Sequence, residues 1–178
     1  STVEVLNGTL TLARDNTLTS ERVRVEAIAP DATDAHFVIA GETRVTNPIV
    51  VGSAASNAQS TNRLTLDGTT LTTENIVSER GADTSKVVQL TFTHGANLIA
   101  TASGTLFEGL DGQAGTDLSA IGEGGWTLNT VAGTELTQNA TLGFTDAQGS
   151  TDTATDHFTK AGTGSLRLTA LNTYSGAL

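Results

Sequence analysis

The feature that most restricts what this chain can fold into is a short phrase that returns along its length. It reads apolar–polar–apolar, then a tight corner, then a second short strand, and is clearest at Leu64-Thr65-Leu66-Asp67-Gly68-Thr69-Thr70-Leu71-Thr72. The phrase stands also at Leu10-Thr11-Leu12, Phe37-Val38-Ile39, Leu90-Thr91-Phe92, Trp126-Thr127-Leu128 and Leu166-Arg167-Leu168. Their third residues, at 12, 39, 66, 92, 128 and 168, are spaced by 27, 27, 26, 36 and 40 positions. A near-constant period with two long steps predicts a stacked repeat carrying two loop insertions.

Within each repeat a second apolar side follows the first corner, at Leu18, Val45, Leu71 and Leu98, six, six, five and six residues after the anchor. A third side follows, at Val23 and Val25 with Ile28, at Ile49-Val50-Val51, at Ile76-Val77 and at Leu106-Phe107. Corners carry Asn7-Gly8, Ala40-Gly41, Asp67-Gly68 and His94-Gly95, residue types that suit tight turns. No useful stretch has the 3.6-residue period of a helix. The prediction is an all-β parallel β-helix: a three-sided β-solenoid of about six rungs of 26–27 residues over residues 1–178, with insertions at about 108–125 and 145–157. Rungs stacked about 4.8 Å apart make a short prism. The predicted inward ladders are Leu10, Phe37, Leu64, Leu90, Trp126 and Leu166, beside Leu12, Ile39, Leu66, Phe92, Leu128 and Leu168. Rung one places Val3 and Val5 with Leu10 and Leu12; rung five takes Leu136 as its second side. An antiparallel sandwich also has short strands between turns, but gives no reason for a corner at constant offset.

Composition narrows the function classes. Charged residues are 16% of the chain and aromatics 4%, with no Met and no Cys, so the surface must be largely hydroxyl and amide. A net charge of −10, without a basic stripe, argues against nucleic acid as a partner. The absence of Cys excludes disulfides and thiolate metal sites. No run of 18 apolar residues offers a membrane-spanning helix.

The segment Lys160-Ala161-Gly162-Thr163-Gly164-Ser165-Leu166-Arg167-Leu168-Thr169-Ala170-Leu171-Asn172-Thr173-Tyr174-Ser175-Gly176 resembles the passenger-associated repeat of bacterial autotransporters. That pattern runs K-x-G-x-G-x-L-x-L-x-x-x-N-T-Y-S-G; Ala170 stands where Gly is commoner. The resemblance implies a right-handed parallel β-helical passenger segment, secreted across the outer membrane of a Gram-negative-type bacterium. It implies also that the chain is a piece of something longer. The repeat is architectural and names no ligand.

Candidate chemistry is sparse. Asp146, Asp152 and Asp156 crowd one insertion, as a calcium loop would, but lack a calcium-binding spacing and read as a solvated acidic loop. His36, His94 and His157 have no second ligand at metal spacing and read as surface residues. Glu42 and Asp67, at similar corners of adjacent rungs, are the nearest approach to a hydrolytic carboxylate pair. The outward strip Thr11, Val38, Thr65, Thr91, Thr127 and Arg167 lacks the mixed charges a lyase needs, and its Thr rank is too interrupted for ice binding. Trp126 reads as core filling rather than a sugar platform; Tyr174 is the other amphipathic aromatic. The expectation is a non-enzymatic, secreted or cell-surface solenoid without catalytic, cofactor or metal residues, acting as a stalk or adhesive body. The alternative is a filament subunit that self-associates end to end; ice binding and polysaccharide binding are lesser ones. A cell-surface or matrix ligand fits as partner, and this segment itself inserts in no membrane.

Overall fold

The computed structural model describes residues 1–110, 116–121, 124–138 and 158–169. Among them are nineteen strands, numbered in chain order, and no helix. Every strand pair is parallel, which removes the antiparallel sandwich. Each strand bonds not to its sequence neighbour but to the strand one turn away, as a solenoid requires.

The first side stacks β2 (Gly8–Leu12), β5 (Asp34–Ile39), β8 (Thr61–Asp67), β11 (Val87–Thr93) and β15 (Thr116–Ile121). The second stacks β3 (Thr17–Ser20), β6 (Glu42–Val45), β9 (Thr70–Thr73), β12 (Ala96–Ala100), β16 (Trp126–Thr130) and β18 (Phe158–Gly162). The third stacks β1 (Thr2–Val5), β4 (Arg22–Val25), β7 (Ile49–Ser53), β10 (Ile76–Glu79) and β14 (Phe107–Glu108). Just before β14, β13 (Gly104–Thr105) pairs onward with β17 (Glu135–Gln138), and that with β19 (Ser165–Leu168). The described residues therefore form five complete three-sided turns, with β1 before them and β18 and β19 after.

Alternation explains why these segments are strands. In β8 and β11 every second residue is buried, placing Asn62, Leu64 and Leu66 inside with Val88, Leu90 and Phe92 in register. Between them Arg63, Thr65, Gln89 and Thr91 face outward. On the third side Val23, Ile49, Ile76 and Phe107 form one inward column across four turns, as predicted.

Four sequence expectations need correction. First, Val3 and Val5 lie on the third side against Val23 and Val25, not beside Leu10. Second, Leu18 is in register with Thr43, not Val45. Thr43 is 1% exposed within an otherwise Leu-rich column and tolerates this because its hydroxyl donates to the Gly41 carbonyl at 3.2 Å. Third, the segment read as an insertion contains β15, the first side of turn five, so turn five begins ahead of Trp126. Fourth, Trp126-Thr127-Leu128 belongs to the second side, in register with Ala96, Asn97 and Leu98, and Leu166 to the third, in register with Leu136. Leu136 is correspondingly on the third side. The second insertion lies outside the described residues.

The inner column into which Trp126 fits explains that placement. Phe158 follows it in register and the small Ala96 precedes it. Ala96 leaves the room that brings the indole face to 4.4 Å from the Phe92 ring, tilted by only 16°.

Corners set how closely turns can approach. A Cβ on Gly41 would overlap the Asn16 carbonyl oxygen and lie 2.6 Å from that of Ala13, both backbone atoms that cannot swing aside. Gly41→Ala is therefore expected to cost about 1–3 kcal/mol, read as a lower urea midpoint at unchanged slope. An unaltered midpoint would contradict the close approach. The glycines of the repeat motif have the same job. At Gly162 a side chain would meet the Thr130 carbonyl and the Asn129 side chain, and at Gly164 it would lie 2.6 Å from the carbonyls of Val131 and Thr134.

The long connections fall between the third side and the next first side, at 26–33, 54–60 and 80–86. Asn57 Nδ2 donates to the carbonyls of Ala29 and Ala32, both at 2.9 Å, joining the first two. Lys86 Nζ donates to the Ala54 carbonyl at 2.6 Å, joining the second to the third. The buried Asn62 amide accepts from Ala27 N at 2.8 Å and donates to the Val87 carbonyl at 3.1 Å beneath them. These loops thus form one ordered ridge along an edge of the prism.

Candidate functional site

Beside that ridge the outer surface of the third side is not flat. The strand register aligns Arg24, Val50, Val77 and Glu108 in one outward column through turns one to four. A cleft of about 530 Å³ opens over this column, walled by Arg22, Asn47, Pro48 and Glu79. That volume is in the range of ligand sites.

Charge organises the cleft. Arg24 and Glu26 leave β4 on the same face, two residues apart, and Glu79 arrives from β10 two turns later. Arg24 Nε donates to Glu26 Oε1 at 2.6 Å, while Nη2 donates to Glu26 Oε2 at 3.2 Å and Glu79 Oε2 at 2.7 Å. The guanidinium therefore bridges turn one to turn three across Val50, which is only 5% exposed although it points outward. Glu26 itself is 5% exposed. Burial alone would raise its pKa, but hydrogen bonds from Arg24 and Ser53 and the Arg24 charge outweigh it and hold the carboxyl below its usual range. The same bonds raise the Arg24 pKa against its desolvation, so it stays a cation. Arg22 and Glu108, by contrast, make no ion pair among the described residues, and both are exposed.

The sequence reading looked for mixed charge on the first side and missed this cluster on the third. The signal was present: positions 26 and 79 lie 53 apart, two turns of 26–27 residues.

The residues singled out from sequence are dispersed. His36, on the first side, has its Nε2 2.9 Å from Thr65 Oγ1 in the next turn. Its pKa is lowered by burial and by the Arg63 charge, against an opposing pull from Asp34, and the net effect favours the neutral imidazole. Arg63 Nη2 forms an ion pair with Asp34 Oδ1 at 2.8 Å beside it. His94 sits at a corner with φ 55°, its Nδ1 2.5 Å from Asp67 Oδ1. Asp67 is thereby engaged, and Glu42, in register with Thr17 on the second side, is not brought to it. The outward strip holds for Thr11, Val38, Thr65 and Thr91, which share one column. Thr127 and Arg167 lie on the second and third sides instead. Among the described residues no three His, Cys, Asp or Glu side chains gather as a metal site. Asp146, Asp152, Asp156, His157 and Tyr174 lie outside the described residues.

Fold and cleft together define a parallel β-solenoid with a charged binding-sized cleft on one outer face. Comparison with known proteins finds no match: no family model, no curated protein and no solved structure matches the chain.

Proposed function

We propose that this chain is a structural and adhesive solenoid body displayed outside the cell, a non-enzymatic segment of an autotransporter-like surface protein. The observation that carries the reading is the parallel turn-to-turn pairing that recurs on each of three sides over a single apolar core. Such a ladder makes a rigid spacer and leaves its outer faces and loop ridge free for contact. The corner glycines of the passenger-like motif support it, since each fits against the backbone of the preceding turn. The test is antibody labelling of intact cells that produce the protein. Labelling without lysis is the expected result; labelling only after lysis would contradict it.

A second reading, end-to-end assembly, is favoured by one specific surface. β1, β2 and β3 are the outermost strands of their sheets, and Leu10 there is 43% exposed. An apolar hollow of about 110 Å³ lies among Val3, Leu10, Thr11, Leu12, Leu18 and Phe37. Parallel edges over apolar side chains accept a further rung, whether from the same chain or from a second copy, and in the second case a heterologous contact grows a filament. Negative-stain microscopy with light scattering separates the outcomes: fibres one solenoid wide support assembly, and a uniform 18.2 kDa monomer removes it.

A further inference from the structure

We propose that the third-side cleft binds an extended peptide segment carrying an acidic side chain at Arg22 and a basic one at Glu108. This names a partner for the adhesive body proposed above and rests on that reading only for the face being exposed to solvent.

Part of the charge in the cleft is already neutralised. Arg24 is spent on Glu26 and Glu79, and Glu79 is partly spent in return. Among the residues that line the cleft, what remains is Arg22 at turn one and Glu108 at turn four, neither of which has an ion-pair partner among the described residues; Glu4, in register with Arg24, lies outside the lining. The cleft is therefore polarised along the solenoid axis, positive at one end and negative at the other. Its ligand should carry both signs, held apart by the same distance.

That distance follows from the register. Arg24, Val50, Val77 and Glu108 occupy successive turns, so three rung steps, about 14 Å, separate Glu108 from Arg24; Arg22 lies two strand residues, about 7 Å, to the side, which sets the backbones of the two ends about 16 Å apart. An extended peptide advances about 3.4 Å per residue and returns to the same face every second residue. Residues i and i+4 then stand on one face about 14 Å apart. The two spacings differ by about 2 Å, which the long flexible side chains of Arg22 and of a ligand Lys can span. Between the charged ends Val50, Val77 and Pro48 supply a low apolar floor for the intervening residues. A sugar is the less fitting occupant, because the cleft lining includes no aromatic ring. A polyanion is disfavoured by the net charge of −10.

The test is a titration of the isotope-labelled protein, followed by backbone amide NMR shifts at low salt. The probe is the capped pentapeptide Ac-Asp-Thr-Ser-Thr-Lys-NH2. Its comparators are the Asn/Gln, Asp/Asp and Lys/Lys versions of the same peptide, and maltotriose. The expected result is that the mixed-charge peptide shifts the amides of Arg22, Val50, Val77, Glu79 and Glu108 and binds at least about threefold tighter than any comparator. Arg22→Gln and Glu108→Gln, both exposed changes, should each weaken it by about two- to fivefold. The proposal is overturned if the Lys/Lys peptide or maltotriose binds the same amides as well, or if the shifts lie elsewhere. It is overturned also if nothing shifts at millimolar peptide. Failure here leaves surface display untouched, because that reading is judged on intact cells.

Discussion

Trp126→Ala is expected to lower the unfolding free energy by about 3–5 kcal/mol, the range for removing a large aromatic from a packed core. Trp126 is 3% exposed and joins three rings from two other sides and a further turn. It stacks on Phe92 at 4.4 Å, meets Phe158 at 4.8 Å and Phe107 at 6.2 Å. Truncation would empty the centre of turns four to six at once. Because each solenoid turn is held chiefly by its neighbours, the loss should also divide unfolding, with the later turns separating first. Urea denaturation followed by far-ultraviolet circular dichroism reads both effects. A midpoint equal to that of the parent would show that the indole is not part of the core.

Arg24→Ala is expected to cost about 3 kcal/mol, for a different reason. Removing the guanidinium leaves Glu26, 5% exposed, as a buried carboxylate without its cation, and breaking one partner of a buried pair is costly in this range. Replacing both residues, as Arg24→Met with Glu26→Gln, should recover most of the loss, since no uncompensated buried charge remains and Glu79 is half exposed to solvent. The pH dependence has a fixed sign. The folded carboxyl of Glu26 titrates lower than in the unfolded chain, so its contribution is complete above the unfolded value, about 4.3, and is lost as pH falls through the folded one. Parent stability should therefore decline below about pH 5, and the double variant should decline less steeply. Equal acid profiles would contradict the pairing.

How much of this was legible in the sequence depended on which signal carried it. The third-side column of Val23, Ile49, Ile76 and Phe107 and the first-side phrases of turns one to four were readable, because alternation and a steady period coincide there. The reading slipped at turn five. Alternation says that a residue faces inward but not on which of three sides, so Trp126-Thr127-Leu128 resembled the first-side phrases. The true first-side strand was hidden by irregularity: pairing shifts between Gln89–Asp117 and Thr91–Ala120, and that bulge breaks the two-residue period. Thr43 was passed over because its place in a Leu column depends on one hydrogen bond. The cleft was hidden for the same kind of reason. Arg24 and Glu26 are neighbours in sequence, but Glu79 joins them only when two turns are stacked in register.

The turn assignment underlies the cleft and the core alike, and paired cysteines test it most directly in a chain that has none of its own. Asn97→Cys with Thr127→Cys places two outward residues in register on adjacent second-side strands, at a rung spacing of about 4.8 Å that suits a disulfide. Thr91→Cys with Thr127→Cys would be neighbours only if Trp126-Thr127-Leu128 continued the first side. Mild oxidation should link the first pair rapidly within the monomer and leave the second pair as free thiols. Rapid linking of the second pair and not the first would contradict the five-turn solenoid described here.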